Sequence, residues 1–345
     1  MNAPAVPATT TQVKLARYLD EGKNATLRNF EIAQAPVSPP GEGQVLVRNS
    51  YLQLSAVMQD LMHKDIDFPM PTYHPGQPLW GMSIGTVVAS ESDALAVGDT
   101  VSNMDGWTSW SRGPAEQYWK VDPSMYPDLS YFLGQGPTAY HGVVDIAAVH
   151  EGDVVFVTGA AGGVGSLAGQ IAKHVGAKKV IGSAGSPEKV RWLTQDLGYD
   201  AAFDYHDGNI EEQLRKHAPD GIDVLIDTVG GEQFEAAVQV AAHGARFALC
   251  GALSGQVGGS SSGAFPRLDI MKSINSEIVF KPFTTLHTPD QIWAWNEHFA
   301  KWVSEGTFVF PATIVEGGVE AAPKALLDSL AGKHRGTVLI DLATD

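Results

Sequence analysis

Cysteine is almost absent: among 345 residues there is one, Cys250. A single cysteine excludes an intramolecular disulfide and a thiolate zinc cluster. It fits a cytoplasmic location, and as the end of a buried strand it reads as a small packing residue. The histidines show no His-x-x-x-His or comparable spacing, so no metal centre is expected. Pairs such as His63 with His74, or His141 with His150, would meet a metal only through tertiary folding. No run approaches the ~20 apolar residues of a membrane span. Basic runs are missing too: the formal net charge is −16, which disfavours nucleic acid and anionic membrane as partners. The stretch 1–11 has neither the basic nor the apolar region of a signal peptide and reads as a frayed tail.

What is present is apolar residues at 44%, enough for sizeable cores over about two domains. Residues 12–120 have a β rhythm. Strands are expected at Val13–Tyr18, Asn29–Ala33, Gln44–Leu54 and Gly85–Ala89, with a turn at Val97–Val101 leading into another. Pro36, Pro39, Pro40, Gly41 and Gly43 mark a turn. Met58–Met62 suggests a short helix. Together these predict a small, partly open β-barrel. From residue 133 the pattern changes to alternating strands and helices of 10–12 residues, which predicts a doubly wound parallel sheet of α/β class. The last forty residues return to turns, a helix at Val319–Leu330 and a strand at Thr337–Asp341. The expected division is 1–132 with 313–345 for the β domain and 133–312 for the α/β domain.

The most informative stretch is Val154–Ser166. An apolar β-branched strand, glycines at 159, 162, 163 and 165, and an Ala-rich helix follow one another. Strand, glycine turn and helix aim backbone N–H groups at a phosphate, as in a Rossmann dinucleotide site. An NAD site places a carboxylate at the end of the second strand. Here that strand ends Gly182-Ser-Ala-Gly185. Ser186-Pro-Glu-Lys189 then opens a helix, and a helix N-terminus with a lysine suits a 2′-phosphate. The expected cofactor is therefore NADPH/NADP. Asp227, at a strand end by the ligand crevice, reads as structural. The Gly/Ser-rich stretch 254–263 is either a substrate lid or a tolerated surface insertion.

The chain resembles the zinc-independent medium-chain dehydrogenase/reductases, in particular the prostaglandin/leukotriene reductase and 2-alkenal (double-bond) reductase branch. The resemblance rests on Gln44–Leu54, Pro137-Thr-Ala-Tyr140, Thr158–Ser166, Ala184-Gly-Ser-Pro-Glu-Lys189, Gly198–Ala202, Asp204-Tyr205, Pro219-Asp-Gly-Ile-Asp-Val224, Asp227–Gly231 and Cys250-Gly251. It implies a GroES-like β-barrel domain beside the Rossmann domain, with the active site in the cleft between them. It implies Gly162, Gly163, Val164 and Gly165 along the pyrophosphate, and Ser186, Lys189 and Tyr205 at the 2′-phosphate. It also implies Thr138, Cys250, Gly251 and the Val279–Phe280 region toward the nicotinamide, Val229 as a further cofactor contact, and His334 where an asparagine is usual. Relatives are often homodimers joined through Rossmann sheet edges.

The implied reaction is hydride transfer from NADPH to the C=C bond of an α,β-unsaturated ketone or aldehyde. Two alternatives stay open: a zinc-free carbonyl or quinone reductase, and a non-catalytic NADPH-binding protein. Relatives often carry Asp-Pro-Tyr-Met-Arg where this chain has Ser55-Ala-Val-Met-Gln59, and Ser-Gln-Tyr-Asn where it has Ser254-Gly-Gln-Val257. Val57, Met58 and Gln256 are thus the residues expected to set the acceptor. With the usual tyrosines replaced, Tyr51, Tyr73 and Tyr140 remain as proton donors, Tyr51 and Tyr73 being the catalytic candidates carried forward. Phe68, Tyr73, Trp80, Trp107 and Trp110 suit an apolar or aromatic acceptor.

Overall fold

The computed structural model describes residues 6–20, 22–66, 68–257 and 265–343. Contacts divide the chain into two units. One holds the residues up to Gly134, Ala312–Lys333 and Val338 onward. The other holds Gln135–Pro311 and His334–Thr337.

In the first unit, β1 (Thr9–Leu15) and β2 (Phe30–Pro36) form an antiparallel ribbon. The first strand starts earlier than expected, because the β-branched run Thr9–Thr11 pairs with Pro36–Gln34. It also stops at Leu15, opposite Phe30. Next come β3 (Gln44–Leu54), helix α1 (Val57–Asp60), β4 (Ser83–Ser90), β5 (Thr100–Asn103), β6 (Trp110–Pro114) and β7 (Trp119–Lys120). The return segment adds β14 (Ala312–Val315), α10 (Gly318–Leu330) and β15 (Thr337–Asp341). Among the described residues these strands make a seven-stranded sheet ordered β14-β15-β3-β4-β5-β7, with β6 also on β3. The barrel rhythm is thus an antiparallel sheet centred on β3, which pairs with β4, β6 and β15. That centrality explains why Val45, Leu46 and Val47 are all buried. Leu52, Leu54, Trp107 and Ile340 pack with Val319, Ala322 and Leu326 of α10.

The second unit begins with α2 (Gly136–Tyr140), which continues as a π-helical stretch over His141–Ile146. Then β8 (Val154–Val157), α3 (Gly165–His174), β9 (Lys179–Ala184), α4 (Pro187–Gln195), β10 (Ala201–Asp204), α5 (Ile210–His217) and β11 (Ile222–Asp227) alternate. They are followed by α6 (Gly231–Val240), β12 (Ala241–Leu249), α7 (Leu253–Val257), α8 (Ile270–Asn275), β13 (Val279–Pro282) and α9 (Pro289–Ser304). Among the described residues the sheet order is β10-β9-β8-β11-β12-β13, every pair parallel. This is the doubly wound order that reverses between β8 and β11, where such sheets bind ligands at their carboxyl ends. Phe156, Ile181, Leu225, Phe234 and Phe247 form its core.

Candidate functional site

The reversal point is built from the glycine turn. Val155, Phe156 and Val157 are wholly buried, so β8 delivers the chain to the sheet's end in a fixed position. Gly159 has φ +56°, and a Cβ there would lie 2.8 Å from Thr228 Oγ1. The turn is closed by Gly162 N–H donating to the Gly159 carbonyl at 2.9 Å. At Gly165, the first residue of α3, a Cβ would meet the Gly159 carbonyl oxygen at 2.5 Å and Ala160 Cα at 2.6 Å. Only a residue without a side chain lets α3 start this close to the strand. Among the described residues, the N–H groups of Gly163, Val164 and Gly165 have no backbone acceptor. Gly162 is exposed and Gly163 and Val164 are half-buried. Three N–H groups at the positive end of a ten-residue helix fit a diphosphate.

Two buried side chains hold this turn. Asp227, 2% exposed at the end of β11, accepts three hydrogen bonds on one oxygen. The donors are Thr158 Oγ1 at 2.6 Å and the N–H groups of Val229 and Gly230 at 3.0 Å. Thr158 Oγ1 in turn accepts from Thr228 N–H at 3.0 Å. The ends of β8 and β11 are thus tied through one carboxylate. Burial raises the Asp227 pKa, opposed by the hydrogen bonds from Gly230, Thr158 and Val229. Tyr199, fully buried below α3, donates to the Gly165 carbonyl at 2.6 Å.

The neighbouring crossover supplies a cation. β9 ends at Ala184, and Gly185 leads to Ser186, whose Oγ accepts from Lys189 N–H at 3.3 Å and caps α4. Pro187 occupies the first turn, where its missing N–H costs nothing. Lys189 is half-buried, and burial pulls its ammonium below the usual lysine pKa, with Glu188 opposing. Tyr205 follows β10, and its hydroxyl would lie 2.9 Å from a Cβ at Gly185. Burial, and then Asp204, raise its pKa, so the phenol stays protonated and can donate. The carboxylate of Asp204 is engaged by the N–H and ring of His206, both at 3.0 Å. An accessible cradle, a cation and a phenol donor at the carboxyl end of one sheet fit a phosphorylated dinucleotide.

The other expected residues fall into distinct settings. Thr138 is buried on α2 and hydrogen-bonded to His287 Nε2 at 2.8 Å. Its neighbour His141 pairs with Asp145 at 2.7 Å. Val229 is buried beside Asp227, and Gly251 is exposed with its Cβ position 2.9 Å from the Thr228 carbonyl. Burial, with Asp227 nearby, pushes the Cys250 thiol up to about 12, so it is no nucleophile at neutral pH. Phe280 sets its ring against Phe234 and Phe247, at 5.8 and 5.6 Å, which is a packing position. Gln256 lies on α7 and is half-buried, while 258–263 of the Gly/Ser stretch fall outside the described residues. In the first unit, Met58 is 5% exposed and belongs to the core, whereas Val57 is half-buried. Tyr73 is also a core residue, 2% exposed, and donates its hydroxyl to the Trp80 carbonyl at 2.8 Å. That geometry leaves it no proton to offer a substrate. Tyr51 is half-buried on β3, and burial with Asp128 and Asp341 raises its pKa.

Sequence reasoning missed Gln135, Tyr199 and His287. Gln135 Oε1 lies 2.2 Å from a Cβ position at Gly163 and accepts from Thr337 Oγ1 at 3.2 Å. Nothing local in the sequence signals this, because both contacts are long-range. His334 belongs to the segment 334–337, which counts with the second unit rather than with the β domain. Gly336 N–H donates to the Ala161 carbonyl at 2.8 Å and forms a parallel bridge with Gly162, placing this segment beside the glycine turn.

Comparison with known proteins agrees with this construction. Residues 163–292 match the family described as zinc-binding dehydrogenase, and residues 13–121 match the N-terminal domain of oxidoreductase. Among the described residues no group of three His, Cys, Asp or Glu is placed to hold a metal. The NADPH-dependent curcumin reductase of Escherichia coli is 32% identical over 327 residues, covering 92% of this chain and 93% of the relative. The NADP(+)-dependent 2-alkenal reductase of Nicotiana tabacum is 31% identical, covering 88% of both chains. The crystal structure of CurA in complex with NADPH from Vibrio vulnificus superposes with a TM-score of 0.87 at 29% identity, covering 96% of this chain and 99% of that one. The chain belongs to the medium-chain dehydrogenase/reductase family, in the zinc-independent branch that contains these reductases.

Proposed function

We propose that the protein is an NADPH-dependent reductase of the C=C bond in α,β-unsaturated ketones or aldehydes. The observation that carries the cofactor half is the pairing of the glycine cradle with Lys189, after a second strand that ends without a carboxylate. The acceptor half is supported by relatives whose names record curcumin and 2-alkenal reduction. Gly163, Val164 and Gly165 would hold the diphosphate, and Lys189 and Tyr205 the 2′-phosphate. NADPH, when bound, supplies the hydride. Reduction of a conjugated C=C bond also needs a proton and a group that stabilises developing enolate charge. Tyr51 is the proposed donor: a phenol is protonated at neutral pH, and burial, with Asp128 and Asp341, raises its pKa further. Val57 and Gln256, in place of the relatives' tyrosines, are proposed to widen the acceptor range.

The test is an NADPH-oxidation screen over enones, enals, quinones and ketones, with products identified by mass spectrometry. The expected product is a saturated carbonyl compound. An alcohol or hydroquinone instead would assign a carbonyl or quinone reductase, and tight NADPH binding without turnover a non-catalytic protein.

The assembly proposed is a homodimer through sheet edges. β13 is the last strand of its sheet, and Val279 on it is exposed. Ile270, Met271 and Ile274 of α8 are exposed as well. Among the described residues this edge is unpaired, and such an edge beside exposed apolar residues suits a second copy. Ile274→Asp combined with Val279→Asp is expected to halve the mass measured by light scattering, and an unchanged mass would refute this edge. No helix among the described residues is long and apolar enough to cross a membrane. A small-molecule reductase of this kind, with one cysteine, is proposed to work in the cytoplasm.

A further inference from the structure

Arg335 connects the two phosphate-binding ends of the second unit. Its backbone is pinned at the glycine turn, because the next residue, Gly336, bonds to Ala161 and bridges Gly162. Gly336 has φ +67°, and a Cβ there would collide with the Pro311 carbonyl oxygen, which itself accepts from Thr337 N–H at 2.8 Å and holds the segment. From this anchor the side chain reaches α4. Its guanidinium carbon lies 5.0 Å from the Trp192 ring centroid, and Nη1 lies 3.7 Å from Glu188 Oε1. Glu188 and Trp192 are one turn apart on the helix and flank Lys189. The cation therefore stands over the first turn of α4 while rooted where a diphosphate would sit.

Its carboxylate partner is a weak one. The pair is long, and the side chains are 47% and 75% exposed. Such pairs contribute little, whereas a phosphate accepts two parallel hydrogen bonds from a guanidinium. The cation–π contact with Trp192 restrains the guanidinium and lowers the cost of orienting it.

We infer that Arg335 is a second 2′-phosphate ligand, which leaves Glu188 for the phosphate while staying on Trp192. Glu188 is then a built-in competitor, weakening the site until a 2′-phosphate arrives. This rests on the NADPH reading above and adds a residue to it.

The experiment is calorimetric titration with 2′,5′-ADP and with 5′-AMP, which needs no turnover. Arg335→Ala, and Arg335→Met, which retains apolar cover for Trp192, are expected to weaken 2′,5′-ADP by about tenfold, the low end for a charge-assisted contact. Binding of 5′-AMP should change less than about twofold, since it carries no 2′-phosphate. Glu188→Gln should tighten 2′,5′-ADP by about threefold, and this gain should vanish in the Arg335→Ala background. Equal losses for both nucleotides, or none for either, overturn the inference. If Lys189→Ala loses 2′,5′-ADP while Arg335→Ala retains it, only the role of Arg335 falls. If the unaltered protein binds the two nucleotides alike, the NADPH reading falls with it.

Discussion

Lys189→Ala is expected to raise the dissociation constant for NADPH by about 10- to 150-fold, the loss of ~1.5–3 kcal/mol in charge-assisted contacts. The constant for NADH should change no more than about threefold, because NADH presents no 2′-phosphate to lose. The large effect follows from the setting of the lysine. Its ammonium is half-buried, and that burial pulls its pKa down, so it has already given up part of its hydration. A dianion placed beside it recovers that loss, while Ser186 and the N–H groups of α4 remain to hold a residual, weaker site. The pH dependence has a definite sign. A phosphate monoester has its second pKa near about 6, so the preference for NADPH over NADH should shrink as pH falls from 7 to 5. Fluorescence titration of both nucleotides across that range checks the argument. Equal losses for NADPH and NADH in the variant would move the 2′-phosphate away from α4.

The parts of this site that could be read from sequence are those whose cause is local. The glycine turn announces itself because a buried strand, a backbone without side chains and a helix must follow in that order. β3 and β15 have the bounds expected, since each is an uninterrupted apolar pattern between turn residues. The failures have tertiary causes. Tyr73 and Trp80 look like rim aromatics, yet the Tyr73 hydroxyl bonds the Trp80 carbonyl and its ring is core. Met58, read as a ligand contact, fills space with Leu52 in the core of its own unit. A side chain's apolarity suits it equally to a ligand and to a core, and only the fold decides. In the segment 334–337 only His334 stands out in the sequence, as the residue where relatives carry an asparagine. The segment's membership in the second unit depends on partners far away in sequence: Ala161 and Gly162 for Gly336, and Pro311 and Gln135 for Thr337. Arg335 inherits its position from these tertiary contacts, so no local pattern could have found it.

Asp227→Ala is the substitution expected to cost most stability. It removes the acceptor of three buried donors, Thr158 Oγ1 and the N–H groups of Val229 and Gly230. Leaving buried donors unsatisfied costs about 1–3 kcal/mol each. Partial relief by water brings the expected loss to about 3 kcal/mol, and Tm down by roughly 6–12 °C for a unit of this size. Asp227→Asn separates this effect from charge. Its Oδ1 still accepts all three bonds, and it removes a carboxylate that burial makes costly to ionise. The folded pKa of Asp227 is raised, chiefly by burial. The folded state therefore binds its proton more tightly than the unfolded chain, and the wild type loses stability as pH rises from the ordinary carboxylate value to the raised one. The Asn variant lacks that loss. Its Tm relative to wild type should improve as pH rises through that window, whereas the Ala variant stays well below both throughout. Calorimetric melts between pH 4 and 8 decide the matter. An Ala variant as stable as wild type would mean that the carboxylate does not tie β8 to β11, and an Asn variant as damaged as Ala would assign the stabilisation to charge instead of to the three hydrogen bonds.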